Sequence, residues 1–136
     1  MSFPDKLTLT PINNISGSVE LPGSKSLSNR ILLLSMLAEG HTEIHNLLDS
    51  DDTRRMMEAL NTLKVDLLEE RDQNRVSVHG TSGTIPVTEA TLMLGNAGTA
   101  IRPLTAALTI GKGRFVLDGV QRMRERPIID LSLIHI

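Results

Sequence analysis

The sequence predicts an α/β fold in which repeated βαβαββ units place buried helices beneath outer, half-exposed sheets. Short segments alternate apolar and polar residues with period two, as strands with one solvent-facing side do, and helical stretches lie between them. Two helical stretches are apolar or small on almost every side, the reverse of the usual layered α/β arrangement. Residues 17 to 82 contain one complete unit, and part of a second begins near Thr91.

Each element follows from a local pattern. Alternation predicts strands at Leu7 to Thr10, Val19 to Leu21, His41 to Leu48, Val65 to Glu70, Arg75 to His79 and Arg114 to Val120. A Pro-Gly-Ser turn, an acidic first turn and a terminal Gly-Lys-Gly turn respectively delimit helices at Ser26 to Leu37, Asp51 to Lys64 and Thr99 to Ile110. The two apolar helices are the first and the third.

An internal repeat supports the duplicated unit. The segments VELPGSKSLSNRILLLSML and LMLGNAGTAIRPLTAAL both run from a strand through a glycine-containing turn into an apolar helix with an early arginine. The offset between those arginines, Arg30 and Arg102, is longer than a solenoid repeat and suits duplicated βαβαββ units. Because the second unit is unfinished, the chain is expected to be a fragment.

Composition excludes several classes of site. The 136 residues carry 14 basic and 16 acidic side chains and no cysteine, which argues against a basic nucleic-acid module and excludes disulfides and thiolate metal sites. The sequence has no signal-peptide or transit-peptide pattern and no apolar stretch long enough to span a bilayer, so we expect a cytoplasmic chain with no membrane contact. His41 and His45 have no metal-site spacing and are interpreted as surface strand residues.

The first glycine turn, Pro22 to Arg30, is a candidate anion site. It leads into a helix N-terminus, whose free N–H groups favour an anion, and Lys25 adds a full charge. Ser26 and Arg30 are spaced at i and i+4 and share a helix face, where both can reach one phosphate or carboxylate. The pattern is not a Walker P-loop, and a serine N-cap with solvated cations remains the alternative.

The second turn, Leu94 to Pro103, has the same design. Gly98 lets an anion approach the backbone, Thr99 offers a hydroxyl, and Pro103 is expected where its absent N–H is not needed. The turn fails the GxGxxG pattern of dinucleotide sites, and a capping turn without ligand remains open.

A third basic feature is the run Arg122-Met123-Arg124-Glu125-Arg126-Pro127, with arginines at alternate positions. Such a run on a strand or loop is usually a solvated surface. Three anion-friendly elements in one short acidic chain together indicate a site for more than one anionic group.

These blocks resemble the 5-enolpyruvylshikimate-3-phosphate synthase family. LPGSKSLSNR, NLLDSDD, LGNAGTAIRP and RMRERPI occur in the family's order and cover residues 21 to 129. The resemblance implies a metal-free transferase of the shikimate pathway, without cofactor, that moves the enolpyruvyl group of phosphoenolpyruvate to the 5-hydroxyl of shikimate 3-phosphate and releases phosphate. Family members are longer, are monomers, and have two domains of βαβαββ units that close over the substrates.

The resemblance also implies a domain assignment. Residues 1–20 belong with a carboxy-terminal domain outside this sequence, and residues 21–128 form part of the amino-terminal domain. Residues 129–136 do not match the family and form an atypical tail. The family's acid, base and further arginines lie outside the sequence.

Residue roles follow from the same resemblance. Lys25 matches the lysine between the two substrates, and Ser26 and Arg30 match shikimate 3-phosphate contacts. Gly98, through its backbone N–H, and Arg126 match contacts to phosphoenolpyruvate, whose place the analogue glyphosate takes. The residues expected to orient these groups are Asp52, Asn96, Thr99, Arg102, Arg122 and Arg124.

Two alternatives remain open from the sequence. The sister transferase that acts on UDP-N-acetylglucosamine shares the fold, although the PGSKS and NAGTA turns favour the shikimate family. A non-catalytic phosphate-binding fragment is the alternative from another class.

Overall fold

The computed structural model describes residues 6–73 and 75–128 of the chain. Its elements follow in the order α1 (Lys25–Leu37), β1 (His41–His45), α2 (Asp51–Thr62), β2 (Asp66–Glu70), β3 (Arg75–His79), β4 (Glu89–Met93), α3 (Gly98–Leu108), β5 (Arg114–Asp118) and α4 (Gln121–Arg124). A single 3₁₀ turn at Arg71–Gln73 follows β2. All three predicted helices are confirmed, with boundaries that differ by one or two residues.

The strands form two small sheets. The first is antiparallel with the order β1-β3-β2, and its central strand places Val76 and Val78 in the core. The second pairs β4 with β5 in parallel, and α3 makes the crossover connection that parallel neighbours require. Alternation therefore predicted β1, β2, β3 and β5 correctly, although β1 and β5 end earlier than expected.

The core lies between the helices. The three long helices pack against one another, the first sheet packs on α1 and α2, and the second packs on α2 and α3. The fully buried side chains Leu32, Met36, Met56, Leu60 and Leu104 fill this aliphatic core. The expected arrangement of interior helices and outer sheets is confirmed, because β1 and β2 keep one side exposed.

Two predicted strands are absent. Leu7 to Thr10 and Val19 to Leu21 have no strand structure, and their apolar side chains are exposed, Val19 to 82%. A strand needs a partner that satisfies its backbone N–H and C=O groups, and the segment from 6 to 24 pairs with no strand of the described residues. The first βαβαββ unit therefore begins at its helix, and the expectation that it is complete was wrong.

The first helix is less buried than its composition predicts. Leu27 and Leu34 lie two turns apart on one side of α1 and are 54% and 64% exposed. The opposite side carries Leu32 and Met36, which are fully buried. An all-round apolar helix in this chain thus covers the core with one face only.

The structure also corrects the period of the repeat. Helices α1 and α3 begin at Lys25 and Gly98, and strands β1 and β5 begin at His41 and Arg114, so both pairs have the same offset. That offset is one position longer than the one that matches Arg30 with Arg102. With the structural offset, the counterpart of Arg102 is Asn29.

None of the helices in the described parts of the chain has the length and apolar character needed to cross a membrane.

Candidate functional site

The first predicted turn caps α1. The Ser24 side chain accepts a hydrogen bond from the Leu27 N–H at 3.5 Å, and the Ser24 carbonyl accepts one from the Ser28 N–H at 2.8 Å. Gly23 must be a glycine, because a Cβ there would collide with the Asn46 carbonyl oxygen. The predicted N-cap is therefore present at Ser24.

The predicted ligand groups of α1 face solvent. Lys25, Ser26 and Arg30 are all exposed, and Ser26 lies one turn before Arg30 on the same helix. They follow an N-terminus whose first N–H groups have no intrahelical acceptor. The shared side of Ser26 and Arg30 offers a phosphate a hydroxyl and a guanidinium group.

One carboxylate joins this helix start to the second predicted turn. Lys25 Nζ lies 3.6 Å from Asp52 Oδ1, and the Thr99 hydroxyl donates to Asp52 Oδ2 at 2.7 Å. Asp52 is the second residue of α2, where a negative side chain is favoured and where a capping box of Ser50 and Thr53 fixes the backbone. Lys25 and Thr99 thus contact the same carboxylate, which brings the two helix starts next to each other.

The start of α3 has a different construction. Its N-cap, Ala97, makes no side-chain hydrogen bond, and Gly98 lies directly against the guanidinium of Arg126. A Cβ on residue 98 would collide with Arg126 Nη1. The structure thus brings together the two residues that the resemblance matched to phosphoenolpyruvate.

The predicted backbone donor is engaged in this structure. The Gly98 N–H donates to the Asn96 carbonyl at 2.9 Å, across the turn. An anion at this helix start must therefore displace that bond or share the donor. Asn96, one of the residues expected to orient the ligand groups, thus contacts Gly98 through its backbone carbonyl.

Pro103 lies deeper in the helix than expected. Helix α3 begins at Gly98, so Pro103 is its sixth residue and removes a bond to the Thr99 carbonyl. The sequence pattern indicated a position in the first turn of the helix, where a missing N–H leaves no intrahelical hydrogen bond unmade. That interpretation was wrong because it considered only the nearness of Pro103 to the turn.

The arginine run is neither a strand nor a simple surface loop. Residues 121 to 124 form a single helical turn with Met123 buried, so alternate spacing does not place the three arginines on one side. Arg122 is exposed, whereas Arg124 makes a bidentate ion pair with Asp118 at 2.7 to 2.8 Å. Only Arg126 of the run reaches Gly98.

Two contacts hold this segment in place. The Arg124 guanidinium, with the Gly119 N–H, lowers the pKa of Asp118 from 3.8 to about 2. Arg102 Nη2 donates to the Pro127 carbonyl at 3.0 Å, next to Arg126. Arg102 and Arg124 therefore hold the segment that carries Arg126, and their assignment to the supporting residues of a ligand site stays a prediction.

The histidines stand apart from the site. His41 and His45 are exposed at the two ends of β1 and lie 3.9 and 3.6 Å from Glu43, as surface strand residues do. Within residues 6–73 and 75–128, no three His, Cys, Asp or Glu side chains form a group that can hold a metal ion. His135 and the rest of the predicted tail lie outside the described residues.

Sequence reasoning missed Asn29. It is fully buried on the same side of α1 as Leu32 and Met36, and its Nδ2 donates to Thr99 Oγ1 at 2.7 Å. A signal was present, because an amide on the apolar side of a helix requires a buried partner. The partner itself belongs to another helix, far along the chain, and is not readable from local patterns.

Comparisons with known proteins identify the family of this chain. The family described as EPSP synthase (3-phosphoshikimate 1-carboxyvinyltransferase) matches residues 9–133. The chain is 56% identical over 135 residues to the chloroplastic 3-phosphoshikimate 1-carboxyvinyltransferase of Solanum lycopersicum, an alignment that covers 94% of this chain and 26% of the relative. The 3-phosphoshikimate 1-carboxyvinyltransferase of Paraburkholderia phymatum is 57% identical over 127 residues, which covers 93% and 29%.

A solved structure gives the same result. The EPSP synthase from Acinetobacter baumannii aligns with a TM-score of 0.76 and 27% identity, covering 86% of this chain and 27% of that one. The chain therefore spans between a quarter and three tenths of the length of these relatives.

Proposed function

The chain belongs to the EPSP synthase family, and on that basis we propose that its two joined helix starts form part of an enolpyruvyl transferase site. The reaction moves the enolpyruvyl group of phosphoenolpyruvate to the 5-hydroxyl of shikimate 3-phosphate. The hydroxyl oxygen loses its proton and bonds to the substituted carbon of phosphoenolpyruvate while the methylene carbon takes up a proton, which gives a tetrahedral adduct. That adduct then loses a proton from the methyl carbon as the carbon–oxygen bond to phosphate breaks, which restores the double bond. The relatives that match carry the phosphoshikimate name, which favours this substrate over UDP-N-acetylglucosamine.

The observation that carries the proposal is the link through Asp52. Lys25 is the first residue of α1 and Thr99 is the second residue of α3, yet the Asp52 carboxylate lies 3.6 Å from Lys25 Nζ and 2.7 Å from the Thr99 hydroxyl. Two anions bound at these helix starts therefore lie side by side with Lys25 between them. That is the arrangement a transfer between two polyanions requires.

Each residue then has a role. Ser26 and Arg30 hold the phosphate of shikimate 3-phosphate, while Gly98 and Arg126 hold phosphoenolpyruvate. Lys25 contacts both substrates and is the catalytic residue of this segment, since a fixed ammonium group stabilises the charge that develops on the departing phosphate. Preorganised cations and N–H groups are most effective where the cleft excludes water.

The remaining groups are proposed to come from the part of the relatives that this chain does not cover. That part supplies the acid, the base and further arginines. In this arrangement residues 1–20 pair with the other domain, in keeping with the exposure of Leu7 and Leu9 at 76% and 77%. Residues 21–128 form part of the domain that carries the site described here.

The expected setting follows the relatives. The full-length protein acts as a monomer on small anionic substrates, without nucleic acid, membrane or cofactor. The plant relatives are named as chloroplastic and the bacterial ones are not, so we propose a cytoplasmic location for a bacterial source and a plastid for a plant source.

A chimera tests the proposal. Residues 9–128 replace the matching segment of the Paraburkholderia phymatum relative, and phosphate release is measured with both substrates. The chimera should turn over, the 136-residue chain alone should not, and UDP-N-acetylglucosamine should not replace shikimate 3-phosphate. A folded chimera without phosphate release, or one that prefers the UDP-sugar, would overturn the proposed function.

A further inference from the structure

Asn29 lies at the junction of the three long helices. Its side chain starts from α1 and donates through Nδ2 to Thr99 of α3, whose hydroxyl donates to Asp52 of α2. The residue is 0% exposed, and its Oδ1 atom has no hydrogen-bond partner among residues 6–73 and 75–128. Neither proposed substrate contact involves this amide.

The network fixes which end of the amide faces Thr99. A carboxylate oxygen accepts hydrogen bonds, so the Thr99 hydroxyl proton is given to Asp52 at 2.7 Å. The Thr99 oxygen then meets Asn29 as an acceptor and requires a donor there. Nδ2 is the only donor of that side chain, so Oδ1 must point away from Thr99.

An amide used in this way is a poor choice for stability alone. A buried acceptor without a partner keeps its desolvation penalty, and an apolar side chain of similar size has none. The neighbours on the same side of α1, Leu32 and Met36, are apolar and fully buried. Leucine is close to asparagine in size and has no polar group to desolvate, so the gain from the asparagine side chain is its bond to Thr99.

We propose that Asn29 is a positioning residue that sets the start of α3 for its anion. It holds Thr99 from one side while Asp52 holds it from the other. Gly98, which is proposed to meet the anion, directly precedes Thr99. The bond also ties the turn after Lys25 to the first turn of α3, so the two helix starts keep a fixed separation. The inference rests on the proposed function for the identity of the anion, phosphoenolpyruvate.

The substitution Asn29→Leu separates positioning from stability. In the chimera we expect the KM for phosphoenolpyruvate to rise about tenfold, with kcat and the KM for shikimate 3-phosphate changed less than about twofold. The melting temperature should stay within a few degrees of the parent or rise. A fall in melting temperature with both KM values changed equally would show a purely structural role and overturn the proposal.

A double-mutant cycle identifies the partner. Thr99→Val removes the hydroxyl that Asn29 contacts, so adding Asn29→Leu to it should raise the KM for phosphoenolpyruvate no further than about twofold. Ser35→Ala, another buried polar residue of α1, is the matched control and should leave all three kinetic constants unchanged. Full additivity of the two substitutions would contradict the proposal.

Hydrogen exchange in the isolated chain gives a second measurement that does not depend on activity. Asn29→Leu should accelerate amide exchange in the first turn of α3, from Gly98 to Ile101, while Ser35→Ala should not. An inactive parent chimera with this exchange result would reject the proposed function alone. Unchanged exchange at those amides would reject the role of Asn29.

Discussion

The N-termini of α1 and α3 lie at the same distance from the strand that follows each helix, but they differ in their caps and in the source of positive charge. Each is followed by a strand at the same distance along the chain, from Lys25 to His41 and from Gly98 to Arg114. The first start has a serine cap and a lysine as its first residue, whereas the second has no side-chain cap and a glycine. A duplicated backbone thus gives two helix starts, both proposed to bind anions, with different sources of positive charge.

The difference lies in where the cation comes from. At the first start, Lys25 and Arg30 belong to the helix itself and need no other segment to be present. At the second, Arg126 arrives from the segment that follows α4 and lies over Gly98. The first site is therefore local and exposed, and the second depends on tertiary contacts of the segment around Arg126.

The largest expected effect is at the first start. In the chimera, Lys25→Ala should lower kcat by about a thousandfold or more, because no other cation of α1 lies between the two anions. The melting temperature should barely change, since the lysine side chain is 48% exposed and only its ion pair with Asp52 is lost. Phosphate release checks the fall in kcat, and the melting curve checks the unchanged stability.

Lys112→Ala is the matched control for that variant. Lys112 is an exposed lysine in the turn beyond the far end of α3. It should retain parental activity. Activity retained by Lys25→Ala would remove this residue from the site.

The first start was largely predictable from sequence, and the reason is its locality. A Pro-Gly-Ser turn, a serine cap and the spacing of Ser26 and Arg30 are all encoded within one short segment. The three helices were predictable for the same reason, because period and caps are local. Four of the strands were predictable from the alternation of apolar and polar residues, because a strand with one solvent-facing side requires that alternation.

The second start was less predictable, because it depends on distant partners. The contact of Gly98 with Arg126 and the bond from Asn29 to Thr99 join segments that lie far apart in the sequence. The strand predicted at Val19 to Leu21 is absent. Alternation is a local pattern, whereas a strand also needs a neighbouring strand that pairs with its backbone. The prediction of a strand or loop for the arginine run was wrong, because residues 121 to 124 form a helical turn that buries Met123.

A smaller effect is expected when Gly98 gains a methyl group. Gly98→Ala places a Cβ against Arg126 Nη1, the other group proposed to hold phosphoenolpyruvate. The KM for phosphoenolpyruvate should rise about tenfold and the inhibition constant of glyphosate should rise more, with little change for shikimate 3-phosphate. Equal weakening of both substrates would mean that the glycine serves the turn and not the ligand.

A smaller effect still is expected when the contact that supports the Arg126 segment is removed. Arg102→Ala removes the donor to the Pro127 carbonyl, so the neighbouring Arg126 becomes less well placed over Gly98. We expect the KM for phosphoenolpyruvate to rise about threefold while kcat is unchanged. Arg114→Ala, an exposed arginine at the start of β5, is the control, and an equal rise there would discount the contact.

The smallest expected effect is a pH dependence of the same segment. The pKa of Asp118 is lowered from 3.8 to about 2 by Arg124 and the Gly119 N–H, so the pair stabilises the fold above pH 3.8 and loses this contribution as the pH falls towards 2. Melting curves of the parent and Asp118→Asn should differ slightly near neutral pH and converge in strong acid. A difference that grows on acidification would contradict the ion pair.

If the two helix starts form one site, an NMR titration of the ¹⁵N-labelled chain with phosphoenolpyruvate should affect both of them at once. We expect the amide signals of Lys25 and Ser26 to shift together with those of Gly98 and Thr99, along one saturation curve with a single millimolar midpoint. Shifts confined to one helix start, or two curves with different midpoints, would contradict it.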